Sequence, residues 1–154
     1  MTARLKYPVI LAGSIFALGF AFYAQFVNGY HPCELCLVQR YAYGVVIVVT
    51  LLALNTKSKF LKALVCLALL AEVGIAVYHT GIEHKWWEGL TTCSSSFKPG
   101  LSAEELQKAV MSAPAVRCDA ATWFFLGASM ATWNAIYAFV LFIISIIPCR
   151  KSTS

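Results

Sequence analysis

The sequence predicts an all-α membrane protein: a four-transmembrane-helix bundle with a short amphipathic helix in its second outer loop. Composition is the first observation behind this fold class, because 60% of the 154 residues are hydrophobic and only 12% are charged. Soluble domains carry about 25% charged residues. The second observation is that the charges fall in short clusters between four long apolar runs, without internal repeats or a nucleic-acid-binding motif.

The four apolar runs have the length of membrane spans, since a bilayer core of about 30 Å needs about 20 helical residues. A helix also satisfies its own backbone hydrogen bonds, which lipid cannot do. The first run follows Arg4 and Lys6 and is longer than a signal-peptide core of about 7–15 residues, so we interpret it as an uncleaved span. One domain, 1–154, is predicted, with helices at about 8–27, 37–54, 63–79 and 123–147 and outer loops at about 28–36 and 80–122.

Basic residues are concentrated on one side of the predicted membrane. The two termini and the loop between the second and third helices carry no acidic residue, and their basic residues are Arg4, Lys6, Lys57, Lys59, Lys62, Arg150 and Lys151. Loops rich in Lys and Arg stay in the cytoplasm. Both termini are therefore predicted to be cytoplasmic, and this bias explains much of the net charge of +5.

The second outer loop contains a helix signal of its own. Ser102 and Glu105 have the spacing of a capping box, and Leu101 and Leu106 occupy the two positions of a hydrophobic staple. Pro114 closes the segment. We expect a short amphipathic helix that lies on the outer membrane surface or on the helix bundle. A soluble loop helix without a packing partner is the alternative.

The predicted topology divides the six cysteines into two groups. Disulfides persist on the oxidising side of a membrane and not in the cytosol. Cys66 and Cys149 lie at cytoplasmic helix ends and are expected to be free thiols, whereas the outer cysteines are Cys33, Cys36, Cys93 and Cys118. Four cysteines allow three pairings, of which the local Cys33–Cys36 pair is the easiest to form, leaving Cys93 with Cys118.

The Cys-x-x-Cys pair favours redox chemistry over a structural role. A bridge across two residues closes a very small loop and removes little entropy from the unfolded chain. Structural zinc sites usually offer two closely spaced ligand pairs, and the second pair here is far apart, so no metal is predicted. Attachment of haem needs His directly after the second cysteine, where this chain has Leu37. Two ordinary structural disulfides remain the alternative.

Two features near Cys36 favour a thiolate at this position. Pro32 suits the first position of a helix, which would put Cys36 in its first turns, where the helix dipole favours an anion. Arg40 follows four residues later on the same helix face. The alternative for Arg40 is an interfacial side chain that reaches for lipid headgroups. Deeper in the membrane, Glu72 is expected to form a hydrogen bond with a neighbouring helix, and His79 shares its helix face near the outer surface.

This arrangement resembles the bacterial DsbB family, the disulfide bond formation proteins B. The resemblance covers nearly the whole chain and depends on "PCELCLVQR", "YHTGIE", "TTC" ending at Cys93 and "RCDAATWFFLGASMATWN" after Val116. Vitamin K epoxide reductases use the same parts with the loop pair before the Cys-x-x-Cys, which is the opposite of the order found here.

The resemblance implies a protein dithiol:quinone oxidoreductase of the bacterial inner membrane that passes electrons to ubiquinone or menaquinone. Cys93–Cys118 would oxidise a periplasmic, thioredoxin-fold DsbA-like partner, with Cys93 forming the mixed disulfide. Electrons would then pass through an exchange between Cys118 and Cys33 to the Cys33–Cys36 pair, with Cys36 as the thiolate facing the quinone.

Three further residues match the family's quinone pocket, namely Arg40, His79 and Met130. The family often has an acidic residue just before the arginine, where this chain has Gln39. The departure leaves more positive charge beside the quinone and puts a proton-transfer role for that position in doubt.

Redox energetics favour a quinone as the acceptor. A DsbA-type oxidase has a reduction potential of about −120 mV, which is above those of ordinary thiol couples. Only a stronger oxidant, such as a membrane quinone, can therefore reoxidise it. Two alternatives remain at this stage: a non-catalytic membrane scaffold stapled by two disulfides, and a metal transporter.

Overall fold

The computed structural model describes residues 3–56, 58–89, 102–104, 107, 116–121 and 123–147. The described elements are α1 (Ala3–Phe26), α2 (Glu34–Asn55), α3 (Lys59–Glu83), β1 (Phe124–Phe125), β2 (Ala128–Ser129) and α4 (Met130–Ile146). The four helices form a bundle in which α3 packs against both α2 and α4, and α1 packs mainly against α2. The mostly helical fold is therefore as predicted.

Helices α1, α2 and α3 are long and apolar enough to cross a membrane. All three begin before their predicted starts, α1 ends one residue before its predicted end, and α2 and α3 end after theirs. The largest extension at a C-terminus is in α3, which continues four residues past His79 to Glu83. Side-chain caps define where helices start: Ser58 Oγ accepts the Leu61 amide at 3.5 Å, and Ser129 Oγ accepts the Thr132 amide at 3.1 Å. The predicted outer loops are correspondingly shorter at these ends.

The fourth helix begins later than predicted, at Met130 instead of Trp123. The residues before it form a two-stranded hairpin in which Phe124 pairs with Ser129 and Phe125 with Ala128. Leu126 and Gly127 at its turn have positive φ angles of 50° and 79°, a geometry that suits a tight hairpin and not a helix. Hydropathy does not distinguish an apolar hairpin from an apolar helix, so the prediction was wrong here. With 17 residues, α4 is about 26 Å long.

The predicted amphipathic helix at 101–114 lies mostly outside the described residues. Of that segment, Ser102, Ala103, Glu104 and Gln107 are described, and the last three are helical. Cys93 and Cys149 also lie outside the described residues.

The bundle buries two apolar clusters. The larger one fills the space between the helices, and its buried members are Tyr7, Ile10, Tyr43, Val46, Ala53, Val65, Leu69 and Leu141. The smaller one lies at the end of the bundle where α2 begins and contains Cys33, Leu35, Ile82 and Cys118. Many large apolar side chains on the outside are exposed, including Phe16 and Phe60. This outward apolar surface is what lipid contact requires.

A polar chain crosses the interior of the bundle. Glu72 of α3 is fully buried, and Asn134 Nδ2 of α4 donates a hydrogen bond of 2.9 Å to Glu72 Oε1. Tyr43 of α2 in turn donates to Asn134 Oδ1 at 2.9 Å. The predicted hydrogen bond between Glu72 and a neighbouring helix is confirmed, and it ties three helices together.

Close packing between α1 and α4 provides a test of the bundle. A Cβ at Gly13 would lie 2.9 Å from Leu141 Cδ2 and 3.0 Å from Tyr137 Oη, whereas a Cβ at Gly19 would meet nothing within 4 Å. Gly13→Ala should therefore overpack the core, at a cost of about 1–3 kcal/mol. Gly19→Ala on the same helix should be neutral or stabilising by about 0.5–1 kcal/mol. Thermal unfolding in detergent measures both, and equal midpoints would contradict this packing.

Candidate functional site

Cys33 and Cys36 lie together at the start of α2. Cys33 is the N-cap residue, and its Sγ accepts a hydrogen bond from the Cys36 amide at 3.4 Å. The two sulfurs are 3.0 Å apart. Pro32 was predicted to be the first residue of the helix. It instead precedes the N-cap, and the helix begins at Glu34. Cys36 is nevertheless in the first turn, where the helix dipole favours an anion.

The fold brings Cys118, which is distant in the sequence, next to Cys33. The sulfurs of Cys33 and Cys118 and Nε2 of His79 all lie within 4.8 Å of one another. Cys33 is 5% exposed and Cys118 is 2% exposed, so this contact is closed to bulk water. We call Cys33, Cys36 and Cys118 the cysteine cluster. Its central member is Cys33, which adjoins both of the others.

An ion pair flanks Cys118. Arg117 Nε donates to Asp119 Oδ1 at 2.8 Å, within a turn that contains Cys118. The Arg117 guanidinium holds the pKa of the Asp119 carboxyl below its ordinary value. The pair closes the backbone around Cys118 and so helps to hold its sulfur near Cys33.

Cys33 holds its proton more firmly than an ordinary thiol does. Its hydrogen bonds with Cys118 and Cys36, together with its burial, raise the pKa of the Cys33 thiol above the ordinary value. A thiol in this position donates a hydrogen bond to a neighbouring sulfur and stabilises negative charge there. The thiolate that redox chemistry needs would then form on a neighbour of Cys33.

His79 connects the cysteine cluster to the end of α3 and the start of α4. Its Nε2 is 3.5 Å from Cys33 Sγ and 3.9 Å from Glu83 Oε1. Glu83 in turn accepts a hydrogen bond from Ser129 Oγ. A histidine between a thiol and a carboxyl group is suited to taking up or returning the thiol proton.

Arg40 is fixed by α1 and does not reach for lipid headgroups. Its guanidinium donates to Gln25 Oε1 and, at 3.0 Å, to the carbonyl oxygen of Ala21. It also lies over the ring of Phe22, 5.0 Å from the centroid. These contacts hold a positive charge one turn beyond Cys36, which is where the sequence analysis expected it.

A cavity of about 520 Å³ opens beside the cysteine cluster. Much of its wall is aromatic or aliphatic and includes Phe16, Phe20, Trp123 and Trp133. Six described residues were assigned a redox or pocket role from the sequence, and five of them line the cavity: Cys33, Cys36, Arg40, His79 and Met130. The sixth, Cys118, adjoins Cys33 and is not part of the wall. Cys66 lies outside the wall. The described cysteines Cys33, Cys36, Cys66 and Cys118 all carry free thiols, so the predicted disulfide between Cys33 and Cys36 is not formed in this structure.

Sequence reasoning missed part of the cavity wall. Gln39 was noted as a departure from the family pattern, but its place in the wall was not predicted, and neither were Tyr43 and Asn134. A signal was present for Asn134, because an amide within an otherwise apolar membrane helix usually faces a partner or a site.

The wide spacing of Cys93 and Cys118 in the sequence spoke against zinc. In the structure, however, Cys33 and His79 are close to Cys118, and these three groups could hold a metal ion. The absence of a metal stays a prediction.

Comparisons with known proteins agree with the fold and the cysteine cluster. The model of the family "Disulfide bond formation protein DsbB" matches residues 3–148. Disulfide bond formation protein B of Polaromonas naphthalenivorans is 32% identical over 86% of this chain and 83% of its own length. The proteins of the same name from Cupriavidus pinatubonensis and Acinetobacter baumannii are 31% and 28% identical, over 90% and 94% of this chain and 88% and 89% of their own lengths. No solved structure matches.

A match over nearly the whole chain includes every described residue of the cysteine cluster and all four helices. The three long apolar helices indicate a multi-pass membrane protein, in agreement with that match. The chain therefore belongs to the DsbB family of disulfide bond formation proteins.

Proposed function

We propose that the protein reoxidises a periplasmic DsbA-like thiol oxidase by disulfide exchange and passes the electrons to a membrane quinone. The observation that carries this proposal is the position of Cys33, whose sulfur adjoins both Cys36 and Cys118 at the edge of an apolar cavity. A thiol in that position can exchange with a loop cysteine on one side and supply a quinone-facing cysteine on the other.

The exchange sequence balances in electrons and protons. The reduced partner attacks Cys93 of the Cys93–Cys118 disulfide, leaves as its own disulfide, and transfers two electrons and two protons to this pair. The Cys118 thiolate then attacks Cys33, which forms Cys33–Cys118 and releases Cys36 as a thiolate. Cys93 attacks Cys118 and restores the loop disulfide, so that the two electrons now reside on Cys33 and Cys36.

In this scheme, His79 accepts the proton that the Cys33 thiol loses. Cys33 must lose its proton before its sulfur can close a disulfide with Cys36 again. His79 Nε2, 3.5 Å from that sulfur, is placed to receive the proton, and Glu83 at 3.9 Å stabilises the charged imidazole. Burial of the cluster protects the thiolates from competing reactions with water and oxidants.

The residues of the cavity fit a quinone. Ligand sites of about 300–1,000 Å³ are usually apolar with a few placed polar groups, and this cavity of about 520 Å³ has that character. Gln39 Nε2 and His79 Nδ1 are buried in its wall with no hydrogen-bond partner among the described residues. A bound quinone supplies an acceptor for two electrons and two protons. Arg40 and Cys36 would hold it, with Met130 against the ring, and either ubiquinone or menaquinone satisfies these groups.

The proposal places the protein in the bacterial inner membrane with α4 as its fourth span and both termini in the cytoplasm. The basic residues at the termini and between α2 and α3 support this orientation. The cysteine cluster then lies at the periplasmic end, where the loop that follows α3 would meet the partner protein. At this end, a protein thiol can reach Cys33 from the periplasm, and a lipid-soluble oxidant can reach it from the outer leaflet.

Purified protein, a reduced thioredoxin-fold partner and a quinone test the function directly. Loss of quinone absorbance with oxidation of the partner is expected. Absence of turnover while both disulfides are intact would favour the stapled scaffold instead.

Metal content tests the third alternative, a metal transporter, since the Cys33–His79–Cys118 group could hold an ion. We expect no stoichiometric metal.

Cys36→Ser should abolish quinone reduction by removing the quinone-facing sulfur. Cys93 should still form a mixed disulfide with a partner whose second active-site cysteine is replaced by serine, because that step does not use Cys36. Cys66→Ser is the matched control, since Cys66 lies outside the cavity wall, and it should turn over normally. Quinone absorbance and non-reducing gels measure the two steps. Turnover by Cys36→Ser would refute the assignment.

Arg40→Ala should raise the KM for quinone about tenfold or more, since hydrogen bonds to charged groups contribute about 1.5–3 kcal/mol. Arg40→Lys should be intermediate because it keeps the charge but loses the planar fork that bonds both Gln25 and Ala21. Thermal unfolding of each variant is the control. If Arg40→Ala fails to fold while Arg40→Lys folds and keeps the wild-type KM, Arg40 only holds α1 and α2 together and does not bind the quinone.

A further inference from the structure

The cavity wall contains amide groups that the exchange chemistry does not use. Gln39 is 7% exposed, and its Nε2 has no hydrogen-bond partner among the described residues. Asn134 lines the same cavity from α4. A buried N–H without a partner costs about 1–3 kcal/mol, so a group that faces a ligand cavity in this state indicates an acceptor on the ligand.

The amide of Asn134 is held in one orientation. Tyr43 Oη donates to its Oδ1 at 2.9 Å, and its Nδ2 donates to Glu72 Oε1 at 2.9 Å. The nitrogen of the amide lies on the Glu72 side and the oxygen on the Tyr43 side. An amide nitrogen has two hydrogens. One is used on Glu72, and the second has no partner among the residues that the structure describes.

Gln39 and the Tyr43–Asn134 pair belong to one region of the wall. Gln39 and Tyr43 are four residues apart on α2 and therefore share a helix face. Tyr43 is seven residues beyond Cys36, which is about 10 Å deeper along α2. The cavity thus has a sulfur end beside Cys36 and an amide end deeper in the bundle.

We infer that Asn134 and Gln39 donate hydrogen bonds to a carbonyl oxygen of the quinone, and that Glu72 is a positioning residue that fixes the Asn134 amide. This inference deepens the proposed function and rests on it. Neutral amides stabilise the charge that develops on the oxygen without surrendering a proton. Glu72 then acts through Asn134 and is not the proton donor, although it is the fully buried carboxyl closest to this end.

Binding of a short-chain benzoquinone to the purified full-length protein tests the amide end without turnover. Trp123 and Trp133 line the cavity, so quenching of tryptophan fluorescence reports the Kd. Asn134→Leu should raise the Kd roughly three- to tenfold, the effect of one lost hydrogen bond. The infrared carbonyl band of bound, carbon-13-labelled quinone should also shift to higher frequency. Asn55→Leu, which removes an amide that bonds to the Leu51 carbonyl and does not line the cavity, is the matched control and should change neither.

Substitutions of Glu72 separate positioning from proton donation. Glu72→Gln keeps an oxygen that accepts from Asn134, so its Kd and carbonyl band should stay close to the wild-type values. Glu72→Leu removes the acceptor and should reproduce Asn134→Leu. If Glu72→Gln binds quinone normally but reduces it at least tenfold more slowly, Glu72 is a proton donor and its assignment as a positioning residue is wrong.

The outcomes for this inference and for the proposed function are distinguishable. Wild-type protein that binds quinone with a shifted carbonyl band but shows no turnover would contradict the proposed function and leave the amide site standing. Wild-type turnover with unchanged Kd and carbonyl band in Asn134→Leu would overturn the inference alone. If Asn134→Leu does not fold, Gln39→Leu carries the same test, since Gln39 has no described partner to lose.

Discussion

The contact between the Cys33 and Cys118 sulfurs is the interaction on which the rest of the site depends. It joins a residue at the N-cap of α2 to one in a loop that is 85 positions later in the sequence. The cap fixes Cys33 through the amide of Cys36, and the ion pair around Cys118 restrains the other side. Once these sulfurs are adjacent, the proposed function has a short route of thiol–disulfide exchange from an aqueous partner to the membrane interior.

The bilayer imposes a second constraint, because every polar group inside the bundle needs a partner or a function. Arg40 meets this requirement by bonding to α1, and Glu72 by bonding to α4. These ties also define the cavity, since they hold α1, α2, α3 and α4 around a common space. Polar contacts that stabilise the bundle and polar contacts that shape the ligand site are therefore largely the same contacts.

Much of this arrangement could be predicted from the sequence, and the exceptions have physical causes. Hydropathy located the helices, and the spacing of Cys36 and Arg40 predicted that they share one face of α2. The start of α4 was missed because Phe124–Ser129 is as apolar in a hairpin as in a helix, and only Gly127 signalled the turn. The approach of Cys118 to Cys33 could come only from the family resemblance. Contacts between distant segments depend on packing, which no local pattern encodes.

Gln39 illustrates how a single departure redistributes the chemistry of the site. An acidic residue there would place negative charge beside Arg40 and could carry a proton; the amide does neither, so the positive charge of Arg40 acts on Cys36 without a local counter-charge. The carboxyl groups that remain near the cavity are Glu83, which bonds to Ser129 beside His79, and Glu72, which bonds to Asn134. In the proposed function, proton movement would be confined to the sulfur end, through His79 and Glu83. The deep end would offer neutral donors, which suits a carbonyl oxygen that must gain electron density before it gains a proton.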